Sequence, residues 1–265
     1  MSQTTVDVVP PTLYAPGTPL WVDLASPDLP AAKQFYGQLF GWEAHTSSDP
    51  QAGGYTLFTL RGKMVAAVGP IFDPQQPPSW ATYVASADAD ATARTVREAG
   101  GQVVVEPMEV MDQGRMAVCV DSGGAFFRVW QPRKHQGAEI VNEANSFSWN
   151  ELATRDLAGA KTFYKAVFGW ESETHPMGQM GSYTEWKLNG RSIGGAMEMG
   201  DGFPATVPPH WLTYFTVSDC DATVAKAQQL GGAAIVPPMD IPQGRFAVLS
   251  DAQGAAFAVM GPSQG

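Results

Sequence analysis

The chain has 265 residues, with 16 Lys and Arg against 26 Asp and Glu and a formal net charge of −10. That balance argues against a nucleic-acid partner, because phosphate binding rests on clustered Lys and Arg. No apolar run of membrane-spanning length or lipidation motif appears, whereas an apolar fraction of 44 % with 8 Trp and 13 Phe supplies a sizeable core.

Residues 1–16 lack a charged n-region and an apolar h-region, so they are not a signal peptide. Their Pro content and polarity predict an extended tail, disordered or draped over the body. PLWVDLA, residues 19–25, has the partial alternation of a half-buried strand. Ser26-Pro27-Asp28 then opens a helix, with Ser26 as N-cap, Pro27 at the first helical position and Asp28 in the first turn. Leu29, Ala32, Phe35, Tyr36, Leu39 and Phe40 recur at helical spacing as one apolar face, and Gly41 stops the helix. Short strands follow at about 42–46, 55–60 and 64–71. The pattern restarts with a strand at 80–86, a helix at 88–99 closed by Gly100-Gly101, and strands at 102–106, 115–120 and 125–131. Strand, helix and three strands, twice over, give two βαβββ modules.

After a polar stretch without periodicity, the whole pattern returns. WVDLASPDLPAAKQFYGQLFGWE, from Trp21, reappears as WNELATRDLAGAKTFYKAVFGWE, from Trp149, 128 positions later. The echo continues with Tyr55/Tyr183, Trp80/Trp211, Tyr83/Tyr214, Arg115/Arg245, Asp121/Asp251 and Phe127/Phe257. This period is too long for a solenoid and marks a duplicated domain: tail 1–16, first domain 17–132, linker 133–144, second domain 145–262. Thr154 and Asp156 take the places of Ser26 and Asp28. Cys119 and Cys220 are not equivalent in the repeat, so both read as reduced thiols of a cytoplasmic protein.

The strings DLPAAKQFYGQLFGWE and DLAGAKTFYKAVFGWE resemble the vicinal oxygen chelate superfamily of glyoxalases, bleomycin-resistance proteins and extradiol dioxygenases. So do DADATARTVREAGGQVV…DQGRMAVCVDSGGAFFRVWQP and its counterpart further on. The resemblance covers nearly the whole chain apart from tail and linker, and extends to two-domain glyoxalase-like proteins of actinobacteria. It implies an α+β fold of two tandem glyoxalase-like domains, each a pair of βαβββ modules forming an incomplete eight-stranded barrel around a cavity. For metal-dependent members it implies inward His, Gln or Glu ligands on a divalent ion such as Ni, Mn, Fe or Zn, which holds two vicinal substrate oxygens. The positions carried over here are Trp21 and Trp149, about Ala81 and Leu212, and Arg128 and Ala258. Residues 66–68 and 195–197 on the fourth strand of each copy add no ligand.

Alternation along the first strand sends Asp23 inward with Trp21, and Glu151 inward with Trp149. Tyr83 and Tyr214 join from the fifth strand, and Arg128 from the last strand of the first copy only. Asp23 and Glu151 read as general bases or as anchors for a ligand hydroxyl or amine, with pKa values raised by burial. The competing reading ties them to backbone N–H groups or to Arg115, Arg128 or Arg245. Trp21 and Trp149 either stack on a planar ligand or plug the cavity. Arg115 and Arg245 either grip a ligand carboxylate or pair with nearby acids. His210 is the histidine given a site role, since His45, His135 and His175 fall in loops or the linker, where a histidine is ordinarily solvated. Glu198 is a residual metal or acid–base group, or an exposed strand-end acid.

The sequence therefore predicts a catalytic set of Glu151, His210 and Asp23, and a ligand-binding set of Trp21, Trp149, Tyr83, Tyr214, Arg128 and Arg245. It predicts no cofactor, a hydrophobic or aromatic small-molecule ligand, and metal-independent isomerase, cyclase or lyase chemistry. The protein would be a monomer with two pseudo-equivalent domains, or a homodimer. The alternative is a metal-dependent glyoxalase-like lyase, dioxygenase or hydroxylase acting on an α-oxoaldehyde adduct or vicinal-oxygen substrate, using Asp23, Glu151, His210 and Glu198. A third reading makes the first domain structural and leaves function to the second.

Overall fold

The repeat builds two sheets. A computed structural model describes residues 13–71, 73, 75–177 and 181–263, so the expected tail lies outside the described residues up to position 12. The first copy contains β1 (Pro19–Ser26), α1 (Leu29–Phe40), β2 (Glu43–Thr46), β3 (Thr56–Leu60) and β4 (Lys63–Pro70). Its second module is β5 (Ser79–Ala85), α2 (Ala89–Glu98), β6 (Gln102–Val110), β7 (Gly114–Val120) and β8 (Phe126–Pro132). The second copy repeats this with β9 (Ser146–Thr154), α3 (Leu157–Phe168), β10 (Glu171–Pro176), β11 (Ser182–Leu188) and β12 (Arg191–Glu198). It ends with β13 (His210–Thr216), α4 (Cys220–Gln229), β14 (Ala233–Ile241), β15 (Gly244–Ser250) and β16 (Ala256–Gly261). Among the described residues no helix is long and apolar enough to cross a membrane.

The first sheet runs β2-β3-β4-β1-β5-β8-β7-β6, and the second repeats that order from β10 to β14. Each copy is thus one mixed eight-stranded sheet, joined at its centre by the antiparallel pair β1–β5 or β9–β13. Alternation splits each strand between two faces. Leu20, Val22 and Leu24 point to the helices, while Trp21, Asp23 and Ala25 point to the concave side.

The helix faces of the two sheets pack on each other, and the cores formed there are shared between the copies. One joins Phe35, Tyr36, Phe40 and Phe58 of the first module to Phe215, Val224, Leu249 and Phe257 of the last. The other joins Val96, Cys119 and Phe127 to Phe163, Tyr164, Trp170 and Trp186. Buried cross-ties fix the pairing. The Tyr36 hydroxyl donates to Asp251 Oδ2 at 3.0 Å and receives Trp80 Nε1 at 3.0 Å. In the mirror arrangement, Tyr164 donates to Asp121 Oδ2 at 2.9 Å and receives Trp211 Nε1 at 2.9 Å. Burying each aromatic ring contributes on the order of 1.5–3 kcal/mol, and each Tyr–Asp bond keeps a buried carboxyl satisfied. The buried Cys119 belongs to this core, and burial pushes its thiol up to about 12.

Two local expectations change. The helix N-caps are Asp28 and Asp156, whose side chains accept from Ala31 N and Gly159 N. Ser26 and Thr154 stand two residues earlier, their hydroxyls accepting from the N–H of Asp28 and Asp156. The expected stop holds: Gly41 and Gly169 adopt φ 72° and 71°, the left-handed conformation that glycine takes without strain. Strand β6 extends to Val110, beyond the predicted 106, and pairs with β7 through two irregular steps.

The linker is not a solvated tether. Ala138 and Ile140 are buried, Ala138 N donates to Leu20 O at 2.9 Å, and Glu139 N donates to Met64 O at 2.8 Å. Tyr14, from the end of the N-terminal segment, clamps it by donating to Ala138 O at 2.6 Å. The stretch reads as polar because its few apolar side chains have no periodic pattern; its partners lie far away in sequence.

Candidate functional site

Asp23 sits 3 % exposed at the floor of the first concave face, and the fold delivers three hydrogen-bonding side chains to it. Register puts Tyr83 opposite Trp21 on the neighbouring strand, and Arg128 beside Tyr83 on the next. The Tyr83 hydroxyl donates to Asp23 Oδ2 at 2.5 Å, and Arg128 Nη1 donates to Asp23 Oδ1 at 2.7 Å. Tyr55, immediately before β3, adds a 3.2 Å bond to the same Oδ2 and receives Trp21 Nε1 at 3.3 Å. The Arg128 guanidinium also lies 5.1 Å from the centroid of the Tyr83 ring. The first carboxylate is therefore saturated: a charge-assisted pair and two tyrosine hydroxyls leave it little capacity for a ligand.

The first concavity is also covered. His135, from the linker, packs its ring edge-on against Trp21 at 4.4 Å and against Trp130 at 5.6 Å. Burial lowers its pKa to about 4, keeping the imidazole neutral at ordinary pH. Its Nε2 is buried and, among the described residues, has no hydrogen-bond partner. A loop histidine was expected to be solvated; this one is not, because the linker folds onto the sheet. His45 and His175 are likewise not in loops but lie on β2 and β10.

The second concavity keeps the acid and the tyrosines and loses the cation. Glu151 is 7 % exposed, accepts from the Tyr214 hydroxyl at 3.0 Å and accepts from Tyr183. Trp149 Nε1 donates to the Tyr183 hydroxyl at 2.8 Å, as Trp21 does to Tyr55. Arg128 is replaced by Ala258 beside Tyr214, and among the described residues no Lys or Arg pairs with Glu151. Burial pushes the Glu151 carboxyl above the usual range, opposed in part by the two tyrosine hydrogen bonds. Gly195, which lies beside Glu151 on β12, makes this geometry possible, because a side-chain carbon there would collide with the Tyr183 hydroxyl. Trp149 is half-buried where Trp21 is 2 % exposed. Around it lie Leu212, Phe246, Val248 and Met260, an apolar wall. Two surface depressions, about 450 Å³ beside α3 and about 270 Å³ beside Phe168, touch neither carboxyl.

The remaining predicted residues divide. His210 stands opposite Ala153, in the register that carries Leu212 and Tyr214 onto the concave face, and its Nδ1 is 2.9 Å from Pro208 O. Arg245 does not reach that face. It alternates with Phe246 to the helix side, where Asp221 holds it by two bonds of 2.6 and 3.0 Å and Asp240 by one of 2.9 Å. Arg115 is tied in the same way to Asp90 and Glu109. Glu198 sits exposed at the end of β12, in register with Thr154 rather than with the concave residues. Asp23 and Glu151 belong to different concavities, so the three acids and one histidine offered for a metal do not converge. The positions carried over for metal ligands hold Trp, Ala, Leu and Arg side chains, a set that does not fit a resident ion. Among the described residues one group of three possible donors lies close together, Glu173, His175 and Glu185. It is on the β10–β11 hairpin, and Lys187 Nζ already sits 2.6 Å from Glu173 and 3.5 Å from Glu185.

Tyr55, Tyr183 and His135 were not among the predicted site residues. The two tyrosines carried a signal, since they recur in the repeat on a strand whose alternation turns them inward. His135 carried none.

A model of the Glyoxalase/Bleomycin resistance protein/Dioxygenase superfamily matches residues 18–129 and again 146–259. The chain is 42 % identical over 264 residues to the "Anthracycline biosynthesis protein DauV" of Streptomyces sp. (strain C5), covering 94 % of each protein. It is 44 % identical over 255 residues to the "Putative glyoxylase CFP32" of Mycobacterium tuberculosis, covering 94 % of this chain and 97 % of that one. Among solved structures, the Mn(II)-bound glyoxalase from Novosphingobium aromaticivorans matches with a TM-score of 0.65 at 16 % identity, over 94 % of this chain and 83 % of that one.

Proposed function

The chain belongs to the glyoxalase/bleomycin resistance protein/dioxygenase superfamily, and from that premise we propose that its second domain binds a hydrophobic or aromatic small molecule and acts on it without a resident metal. The observation that carries this reading is Glu151: a buried carboxyl with two hydroxyl donors, no cation and a half-buried tryptophan beside it. Its counterpart Asp23 is neutralised and covered. Function thus resides in the second copy, and the first serves the fold.

In this reading a planar ligand stacks on Trp149 against Phe246, Val248 and Met260. Burial raises the Glu151 pKa, which makes its carboxylate a better proton acceptor. As a base it would take a proton from a carbon next to a ligand carbonyl, the C–H electron pair forming a C=C bond while the carbonyl π pair moves onto the oxygen. Return of the proton at a neighbouring atom completes an isomerisation with no net redox change. Tyr183 and Tyr214 hold the carboxylate in place, and His210 on the same face is the second proton carrier. The name of the 42 % identical relative, an anthracycline biosynthesis protein, supports an aromatic ligand.

The test is a fluorescence titration with polycyclic aromatic compounds. Saturable quenching is expected, lost in Trp149→Ala and kept in Trp21→Phe. Once a substrate is found, Glu151→Gln should lower turnover by roughly 10²–10⁴-fold. Quenching that survives Trp149→Ala unchanged would sink the assignment.

A further inference from the structure

The geometry points to a ligand with a cationic nitrogen group, seated on Glu151 where the first domain seats the guanidinium of Arg128. This rests on the second concavity being a ligand site and adds the ligand's charge.

The duplication supplies the argument. Asp23 with Tyr55 and Tyr83 in one copy corresponds to Glu151 with Tyr183 and Tyr214 in the other. In the first copy the occupant of that arrangement is visible: a planar cation that pairs with the acid at 2.7 Å and lies 5.1 Å from the centre of a tyrosine ring. The chain itself demonstrates what this combination of carboxylate and aromatic faces accommodates. In the second copy the arm carrying the cation is cut back to Ala258, and Trp130 is replaced by Met260, while acid and tyrosines stay. Leu212 in place of Ala81 and the extra methylene of Glu151 restore part of the lost bulk. They restore no charge.

A buried acid kept without a counter-ion is driven toward its neutral form, and a cationic partner arriving from outside favours the charged one. Nearby basic side chains are committed elsewhere: Lys187 to Glu173 and Glu185, Arg245 to Asp221 and Asp240. A ligand ammonium or guanidinium completes the set. It would donate to Glu151 in the place of the Arg128 nitrogen and face the Tyr214 ring. Glu151 then anchors the ligand as well as serving as its base, and His210 remains the second proton carrier.

Calorimetric titration at pH 7.5 with three probes of one shape tests this: 1-naphthylmethylammonium, neutral 1-naphthylmethanol and anionic 1-naphthylacetate. A hydrogen bond to a buried charge predicts that the ammonium binds about tenfold or more tighter than the alcohol, and the acetate weakest. The preference should vanish in Glu151→Gln, whose amide oxygen can still accept from Tyr214. It should vanish also in Leu212→Ala/Ala258→Arg, which rebuilds the first copy's cation in the second. Circular dichroism checks that each variant is folded, and Glu151→Gln decides if the double variant is not. Equal binding of ammonium and alcohol, or a cation preference that survives Glu151→Gln, overturns the charge assignment and leaves the aromatic site standing. Failure of all three probes to bind overturns the ligand site itself, and this inference with it.

Discussion

Asp23 and Glu151 occupy the same position in two copies of one domain, and a single exchange two strands away gives them different chemistry. Arg128 makes Asp23 part of the structure; Ala258 leaves Glu151 available. Removing the cation from the first copy should therefore be costly in a way that its natural absence from the second is not. Asp23 is 3 % exposed, with its neighbours arranged around an ion pair, so Arg128→Ala should destabilise the protein by about 3–5 kcal/mol. Urea denaturation reads this, and a loss under about 1 kcal/mol would show the pair to be incidental. Much of this residue-level pattern was legible in the sequence. Alternation along β1 and β5, and along β9 and β13, turned Asp23, Tyr83, Glu151 and Tyr214 inward, and Arg128 stood out as present in one copy only. What could not be read was the direction in which Arg245 points. A turn residue before a strand can serve either face, and Asp221 and Asp240 decide it from elements that the sequence does not place beside it.

At the scale of elements, the four helices share one device. Asp28, Asp88, Asp156 and Asp219 each cap a helix through a side-chain oxygen. The sequence reading took Ser26 and Thr154 instead, because Pro27 looked like a first helical residue. The constant residue across all four modules was the aspartate. The strands were legible wherever their two faces differ, and the linker was not, since its burial depends on Trp21, Leu20 and Met64 rather than on its own pattern. Its contribution has a pH signature. The unfolded chain protonates His135 near 6.5, whereas the folded protein resists until about 4. Between those values the unfolded state binds more protons, so stability falls as pH drops through this window, by at most about 3 kcal/mol. His135→Leu should flatten that limb while leaving stability above pH 7 little changed. An unaltered slope between pH 6.5 and 4 in the variant would mean that the linker histidine is open to solvent.

For the whole molecule, the decisive fact is that neither of the two large hydrophobic cores belongs to one copy. Phe35 and Phe40 pack on Phe215 and Phe257, and Phe127 packs on Phe163 and Tyr164. Unfolding should be a single cooperative transition rather than two. Expressed alone, 17–132 or 133–263 should lack a cooperative melt, while the two co-expressed should assemble and regain one. Independent, reversible melting of either half would contradict the shared cores. The sequence announced two domains of ordinary size but gave no hint that each completes the other, because the apolar faces of α1 and α3 look the same whichever sheet they meet. The linker adds a topological consequence. Two copies joined head to tail have two concave mouths but only one connection between them. A connection that folds over its own sheet can stopper just one. Duplication by fusion thus breaks the equivalence of the halves at the moment of joining, before any side chain has diverged, and a saturating ligand should count one molecule per chain.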